Sequence, residues 1–169
     1  RREINRASER AEFDYPDAQG LPALREQIYD YLRRRRGVEA TPENILVISG
    51  TQQAFALASR VLLEAGDRVV LEDPHYRGAR QIFASYGARV LGVRVDAEGL
   101  VPAALPKQAS LAVVTPSHQF PTGALLPLSR RVELLEWATA KRCWLIEDDY
   151  DGEFRFGGRP LAALKSLDR

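Results

Sequence analysis

Methionine is absent from all 169 residues, cysteine occurs once and histidine twice. With a single cysteine, Cys143, no internal disulfide can form. It stands between Arg142 and Trp144 in a segment that reads as a buried strand, so it is expected in the core and not as a reactive thiol. The histidines, His75 and His118, are far apart and accompany no metal-ligand spacing, so a metal site is not expected. No apolar run approaches the roughly 20 residues that cross a bilayer, and no signal-peptide pattern opens the chain. A soluble, cytoplasmic protein with no membrane contact is therefore expected. The missing initiator methionine leads to the further expectation that the chain is processed or is a piece of a longer one.

An excess of charge of either sign is also lacking. Lys and Arg number 24 against 23 Asp and Glu, a net charge of +1. Nucleic-acid surfaces carry a basic stripe, so none is expected on this segment. The one basic run, Arg33 to Arg36, precedes Gly37, where cations complement a helix dipole and glycine supplies a left-handed cap; it is expected to be a solvated helix end. A hydrophobic content of 45% in this length supports one sizeable core.

What is present is a regular alternation. Leu24, Ile28 and Leu32 recur at helical spacing behind Pro22. Residues 45–48 read as a strand, Ser49-Gly50-Thr51 as a turn, and Ala54, Phe55, Ala58, Val61 and Leu62 as a helix face. Strands follow at 69–71, 90–95, 111–114 and 144–146. Helices are marked by Tyr76, Ala79, Ile82, Phe83 and Tyr86, and by Leu128, Val132, Leu135 and Ala138; residues 96–106 read as a loop with some helical content. Apolar strands separated by amphipathic helices predict an α/β fold, a doubly wound and mostly parallel sheet with helices on both faces. No internal repeat or low-complexity tract is present.

Polar residues collect where such strands end, which is where open parallel sheets bind ligands. Ser49-Gly50-Thr51 places backbone N–H groups and a hydroxyl at a helix N-terminus, suited to a phosphate or simply to capping. Its glycine spacing matches neither a Walker loop nor a dinucleotide fingerprint. Glu147, Asp148 and Asp149 follow the last apolar strand. Clustered acids raise one another's pKa unless a cation is near, so a divalent metal, a protonated ring nitrogen, or Arg155 or Arg159 in a solvated loop are the partners to weigh. Tyr76 is placed to stack on a planar ligand or to open its helix. Arg77 and Arg80 are either solvated or available to a substrate carboxylate.

Several segments together carry a resemblance. Tyr15 with Gln19-Gly20-Leu21, Leu24-Arg25, Ser49 to Ala54, Glu72-Asp73-Pro74-His75-Tyr76, the run Pro-Ser-His-Gln-Phe-Pro-Thr-Gly at 116–123 and Glu-Asp-Asp-Tyr-Asp-Gly-Glu-Phe at 147–154 stand in the order of one group. From about Phe13 onward the chain resembles the aminotransferase-type domain of MocR/GabR-type transcription regulators of the GntR superfamily. These are relatives of the fold type I, class I/II aminotransferases that use pyridoxal 5'-phosphate (PLP). The resemblance implies PLP as cofactor, with Asp148 at the pyridine nitrogen, Tyr150 on the ring hydroxyl oxygen, Tyr76 on the ring face, and Gly50, Thr51 and Gln52 on the phosphate. It implies a homodimer in which Tyr15 reaches the partner subunit's phosphate. In ordinary aminotransferases an asparagine precedes Pro-Thr-Gly and contacts the ring hydroxyl; here Phe120 stands there, leaving His118 or Gln119 to substitute.

The family's cofactor-bearing lysine is expected in a Ser-Lys setting after a further strand, and Lys107, Lys141 and Lys165 stand in none. The expected organisation is therefore a linker or arm at 1–13 and a partial cofactor-binding large domain at 14–169. A winged-helix DNA-binding domain is expected before this segment, and the lysine with a small domain after it. The implied function is effector sensing, with an amine or amino acid read out by attached DNA-binding machinery. The alternatives are a true aminotransferase acting on an amino acid and a keto acid, or a folding or interaction module.

Overall fold

The computed structural model describes residues 17–154 and 162–168. Helix α1 (Pro22–Arg36) starts at a proline and stops where Gly37 takes a left-handed conformation at φ +66°. Helix α2 (Thr51–Leu62) leads into strand β1 (Arg68–Asp73), helix α3 (Arg77–Ser85) and strand β2 (Arg89–Asp96). A two-residue strand β3 (Gly99–Leu100), strand β4 (Leu111–Val114), helix α4 (Leu128–Lys141) and strand β5 (Trp144–Glu147) follow. No helix among the described residues is long and apolar enough to cross a membrane.

The strands form one sheet in the order β3-β2-β1-β4-β5, parallel except for the β2 and β3 pair. Strand alternation sends Val69, Leu71, Leu111 and Val113 to one face, against Phe55 of α2 and Ala79 and Phe83 of α3. Val70, Ala112 and Val114 go to the other, against Leu134 and Ala138 of α4. The two aromatic rings of the first layer, Phe55 and Phe83, lie 5.4 Å apart. Cys143 joins the second core, and burial pushes its thiol up to about 12, so it has little thiolate character. The expected α/β class with covered faces is the observed one.

Four local expectations are corrected. Residues 45–48 form no strand and join no ladder among the described residues: Val47 donates its N–H to the Gln19 carbonyl at 2.9 Å, a loop contact. A short antiparallel strand appears instead within the predicted loop, because Gly99 takes φ +83° and turns the chain back so that Leu100 pairs with Val95. The basic end of α1 is not uniformly solvated. Arg36 is buried, as is Arg25, while Leu24 of the predicted apolar face is 44% exposed. Along α4 the buried positions are Arg131, Leu134 and Ala138, with Leu128 and Val132 exposed. Arg131 turns inward because its guanidinium donates to three carbonyls, those of Leu126, Ala162 and Pro116, each at 2.9 Å.

Candidate functional site

The chain leaves β1 toward β2 and later returns to β4 on the opposite flank of β1, so the carboxyl ends of β1 and β4 border the crevice where strand order reverses. A buried carboxylate ties those two ends together. Glu72, at the end of β1, accepts from the Thr115 hydroxyl at 2.5 Å, the Thr115 N–H at 3.2 Å and the Gln119 amide at 3.1 Å. Burial raises the Glu72 pKa in spite of these donors, with the neighbouring Asp148 charge adding to the rise. Gln119 is itself buried, and its amide also donates to the carbonyls of Pro74 and Phe120 while its oxygen accepts from Thr122. The loop after β4 is thus anchored from within.

Past β5 the three acids part ways. Glu147 accepts the Leu164 N–H at 2.7 Å. Asp149 pairs with the buried Arg36 of α1. Asp148 is held by its own N–H on the Val114 carbonyl at 2.9 Å, and its carboxylate has no hydrogen-bond partner among the described residues. Burial, then the Asp149 charge, raise its pKa. A desolvated acid beside a second acid calls for a cation or a donor from outside.

Asp148 lines a cavity of about 590 Å³ together with Ser49, Gly50, Thr51, Tyr76, Phe120 and Tyr150. Gln52 and Gln53 reach it from α2, and Thr115 from the end of β4. No side chain caps the α2 N-terminus. Gly50 precedes it at φ +147°, and a Cβ there would meet nothing within 4 Å. The Gln52 amide donates to the Tyr76 hydroxyl at 2.8 Å. Phe120 presents its ring roughly perpendicular to both Tyr76 and Tyr150, at 6.2 Å and 5.8 Å. The site therefore combines a free helix N-terminus, an aromatic wall and a lone acid.

In sequence, residues 1–167 match the family described as "Aminotransferase class I and II". The chain belongs to the class I and II aminotransferase family. Among its relatives in that family, the HTH-type pyridoxine biosynthesis transcriptional regulator PdxR of Corynebacterium glutamicum is 43% identical over 149 residues, 88% of this chain and 33% of that protein. The HTH-type transcriptional regulator TauR of Rhodobacter capsulatus is 43% identical over 168 residues, 99% of this chain and 34% of that protein. The kynurenine aminotransferase of Pyrococcus horikoshii, solved in complex with PMP, has a TM-score of 0.86 at 30% identity, covering 98% of this chain and 44% of that one. The aminotransferase-family chain spans about a third of the length of these curated relatives.

Of the residues singled out in this aminotransferase-family sequence, the fold brings Gly50, Thr51, Gln52, Tyr76, Asp148 and Tyr150 to one cavity. His118 and Gln119 do not line it: Gln119 points inward to Glu72, and His118 sits behind Tyr150, at a neighbouring recess of about 250 Å³. Phe120 is the residue of that loop that faces the cavity. Tyr15, Arg155 and Arg159 lie outside the described residues. Arg77 and Arg80 are exposed and away from the cavity, and no described lysine lines it. Ser49 of the predicted phosphate-suited turn also lines the cavity, whereas sequence reasoning assigned no role to Thr115 as a wall residue or to Arg36 as the partner of Asp149.

Two expected results follow from this geometry. A Cβ on Gly78 would come within 2.5 Å of the Tyr76 ring, which folds back over the start of α3. Gly78→Ala should displace that ring and break its bond to Gln52, lowering stability by about 1 kcal/mol, measured by urea unfolding. Glu72, Glu147 and Asp148 all have raised pKa values, so the native state holds their protons more tightly than the unfolded chain. Stability then falls as pH rises from the ordinary 4.5 of glutamate and 3.8 of aspartate through the raised native values. Asp96, held down to about 2 chiefly by the Arg130 hydrogen bond, does not titrate in that window. The urea midpoint should fall as pH rises upward from about 4.5.

Proposed function

We propose that this chain is the pyridoxal phosphate-binding part of a MocR/GabR-type transcription regulator, and that the whole protein reports an amine or amino acid to a separate DNA-binding domain. The observation that carries the reading is one cavity shared by a carboxylate with no hydrogen-bond partner among the described residues and a helix N-terminus that no described side chain caps. The donor set fits the cofactor. The helix N-terminus at Thr51 and Gln52, opened by Gly50, suits a phosphate dianion. Asp148 suits a protonated ring nitrogen, whose charge offsets the desolvation of the carboxylate. Tyr76 and Phe120 offer apolar ring surface. Tyr150 offers a phenol, whose pKa burial raises, so that it keeps its proton.

When bound, the cofactor supplies a carbonyl group that combines with amines and an electron-poor ring that draws charge away from them. The chain's own residues orient it. Asp148 keeps the ring nitrogen protonated, the α2 N-terminus fixes the tail, and the aromatic wall excludes water from one side. The similarity to HTH-type regulators supports DNA binding and a dimer for the whole protein. The aminotransferase likeness supports the second reading, amino transfer to a keto acid.

Titrating the chain with PLP and with pyridoxal, followed by tryptophan fluorescence, tests the cofactor reading. PLP should bind at least about tenfold more tightly, because helix-terminus N–H groups and the dipole act on the phosphate. Equal binding of the two would refute the phosphate assignment. In the whole protein, a shift of operator affinity on adding an amine, without turnover, would favour sensing; steady turnover of an amino acid and a keto acid would favour the enzyme.

A further inference from the structure

His118 stands outside the cavity, yet it touches the residue that closes one side of it. Its ring stacks on Tyr150 at 5.9 Å and 24°, and its Nδ1 lies 3.0 Å from the Tyr150 hydroxyl oxygen. The same Nδ1 is in short contact with a carboxylate oxygen of Asp151. Gly123 makes room for the imidazole, since a Cβ there would come within 3.1 Å of Nε2. Tyr150 makes no other hydrogen bond among the described residues.

These contacts fix the direction of a hydrogen bond. A carboxylate only accepts, so Nδ1 must carry the hydrogen that it offers Asp151. One nitrogen cannot both carry that hydrogen and accept the phenol's, so Tyr150 receives a share of the same N–H and is an acceptor there. Its own O–H is left to point elsewhere, and the space beside it is the cavity. We infer that His118, oriented by Asp151, is a positioning residue that keeps the Tyr150 phenol turned as a hydrogen-bond donor toward a ligand oxygen in the cavity.

The raised pKa of Tyr150, caused first by burial and then by the charges of Asp151, Asp148 and Glu72, keeps that hydrogen in place near neutral pH. The ligand group it suits is an anionic or strongly accepting oxygen on a planar ring, and the inference rests on the cofactor reading for the identity of that ring. It assigns His118 a role behind Tyr150 in place of direct ring contact.

The test has two arms. Nitrogen NMR of the ligand-free chain, with the His118 signal identified by its loss in His118→Asn, should show the neutral ring protonated at Nδ1. A ring protonated at Nε2 would overturn the inference, and this arm needs no folded Asp151 variant. In the second arm, 4-deoxypyridoxine 5'-phosphate, which keeps ring oxygen and phosphate but has no aldehyde, is titrated beside the analogue lacking the ring hydroxyl. Asp151→Ala removes the acceptor that holds the hydrogen on Nδ1, so the other tautomer can accept from Tyr150 there; it should weaken the first ligand about tenfold and leave the second unchanged. Equal loss for both would refute the directed donor. A wild-type chain that shows Nδ1–H but binds neither ligand would refute the cofactor reading and uphold the hydrogen-bond assignment.

Discussion

Arg36→Ala is expected to lower the free energy of unfolding by about 3–5 kcal/mol, the usual result of removing one partner from a buried ion pair. The side chain of Arg36 is 3% exposed and that of Asp149 23%, so water can do little to replace the lost guanidinium. Asp149 would then share the end of β5 with Glu147 and Asp148, and burial already disfavours the charge of both neighbours. The pair also joins distant parts of the chain: Arg36 ends α1, and its carbonyl accepts the Ala163 N–H at 3.1 Å. A double-mutant cycle decides the mechanism. Asp149→Asn in the Arg36→Ala background should recover part of the loss, because the charge that Arg36 offset is gone. A single-variant loss under about 1 kcal/mol by urea unfolding, or no recovery in the double variant, would remove the pair from the account of stability.

Asp148→Ala should act in the opposite sense on folding and on binding. The carboxylate has no hydrogen-bond partner among the described residues and is desolvated, so its removal should leave stability at about pH 7 within about 0.5 kcal/mol of the parent or above it. The rise in urea midpoint toward acid should shrink, since one of three raised acids is gone. Ligand affinity should suffer. A charged hydrogen bond contributes about 1.5–3 kcal/mol, so 4-deoxypyridoxine 5'-phosphate should bind about 10- to 100-fold more weakly. Unchanged affinity with unchanged folding would exclude Asp148 from any role toward the ring nitrogen. The contrast with Arg36 is physical: two acids adjacent in sequence have opposite duties, one closed off by an arginine and one left open to the cavity.

Much of this was legible in the residues. The runs at 69–71, 90–95, 111–114 and 144–146 became β1, β2, β4 and β5, because β-branched and apolar stretches bounded by turn residues have few other stable solutions. Residues 45–48 carry the same composition and join no described strand, and Leu46 is 47% exposed, so apolar content alone sets neither ladder pairing nor burial. Helix spacing placed α4 correctly but misjudged its inward face, since an arginine that satisfies three carbonyls is more stable inside than an exposed valine. The loop at 116–123 shows the same limit at the site. Which of His118, Gln119 and Phe120 meets the cavity depends on Glu72, a residue more than 40 positions away that draws the glutamine inward.

By itself, then, the sequence determined the alternating architecture, the family and the positions where polar residues cluster, because those follow from periodicity and from motifs read locally along the chain. Only the tertiary structure decided which acid is paired and which is left open, which aromatic rings form the wall, and that His118 acts through Tyr150. Those outcomes are set by contacts between α1 and the end of β5, and between the loops after β4 and β5, and no local pattern encodes a partner that is brought near only when the sheet assembles.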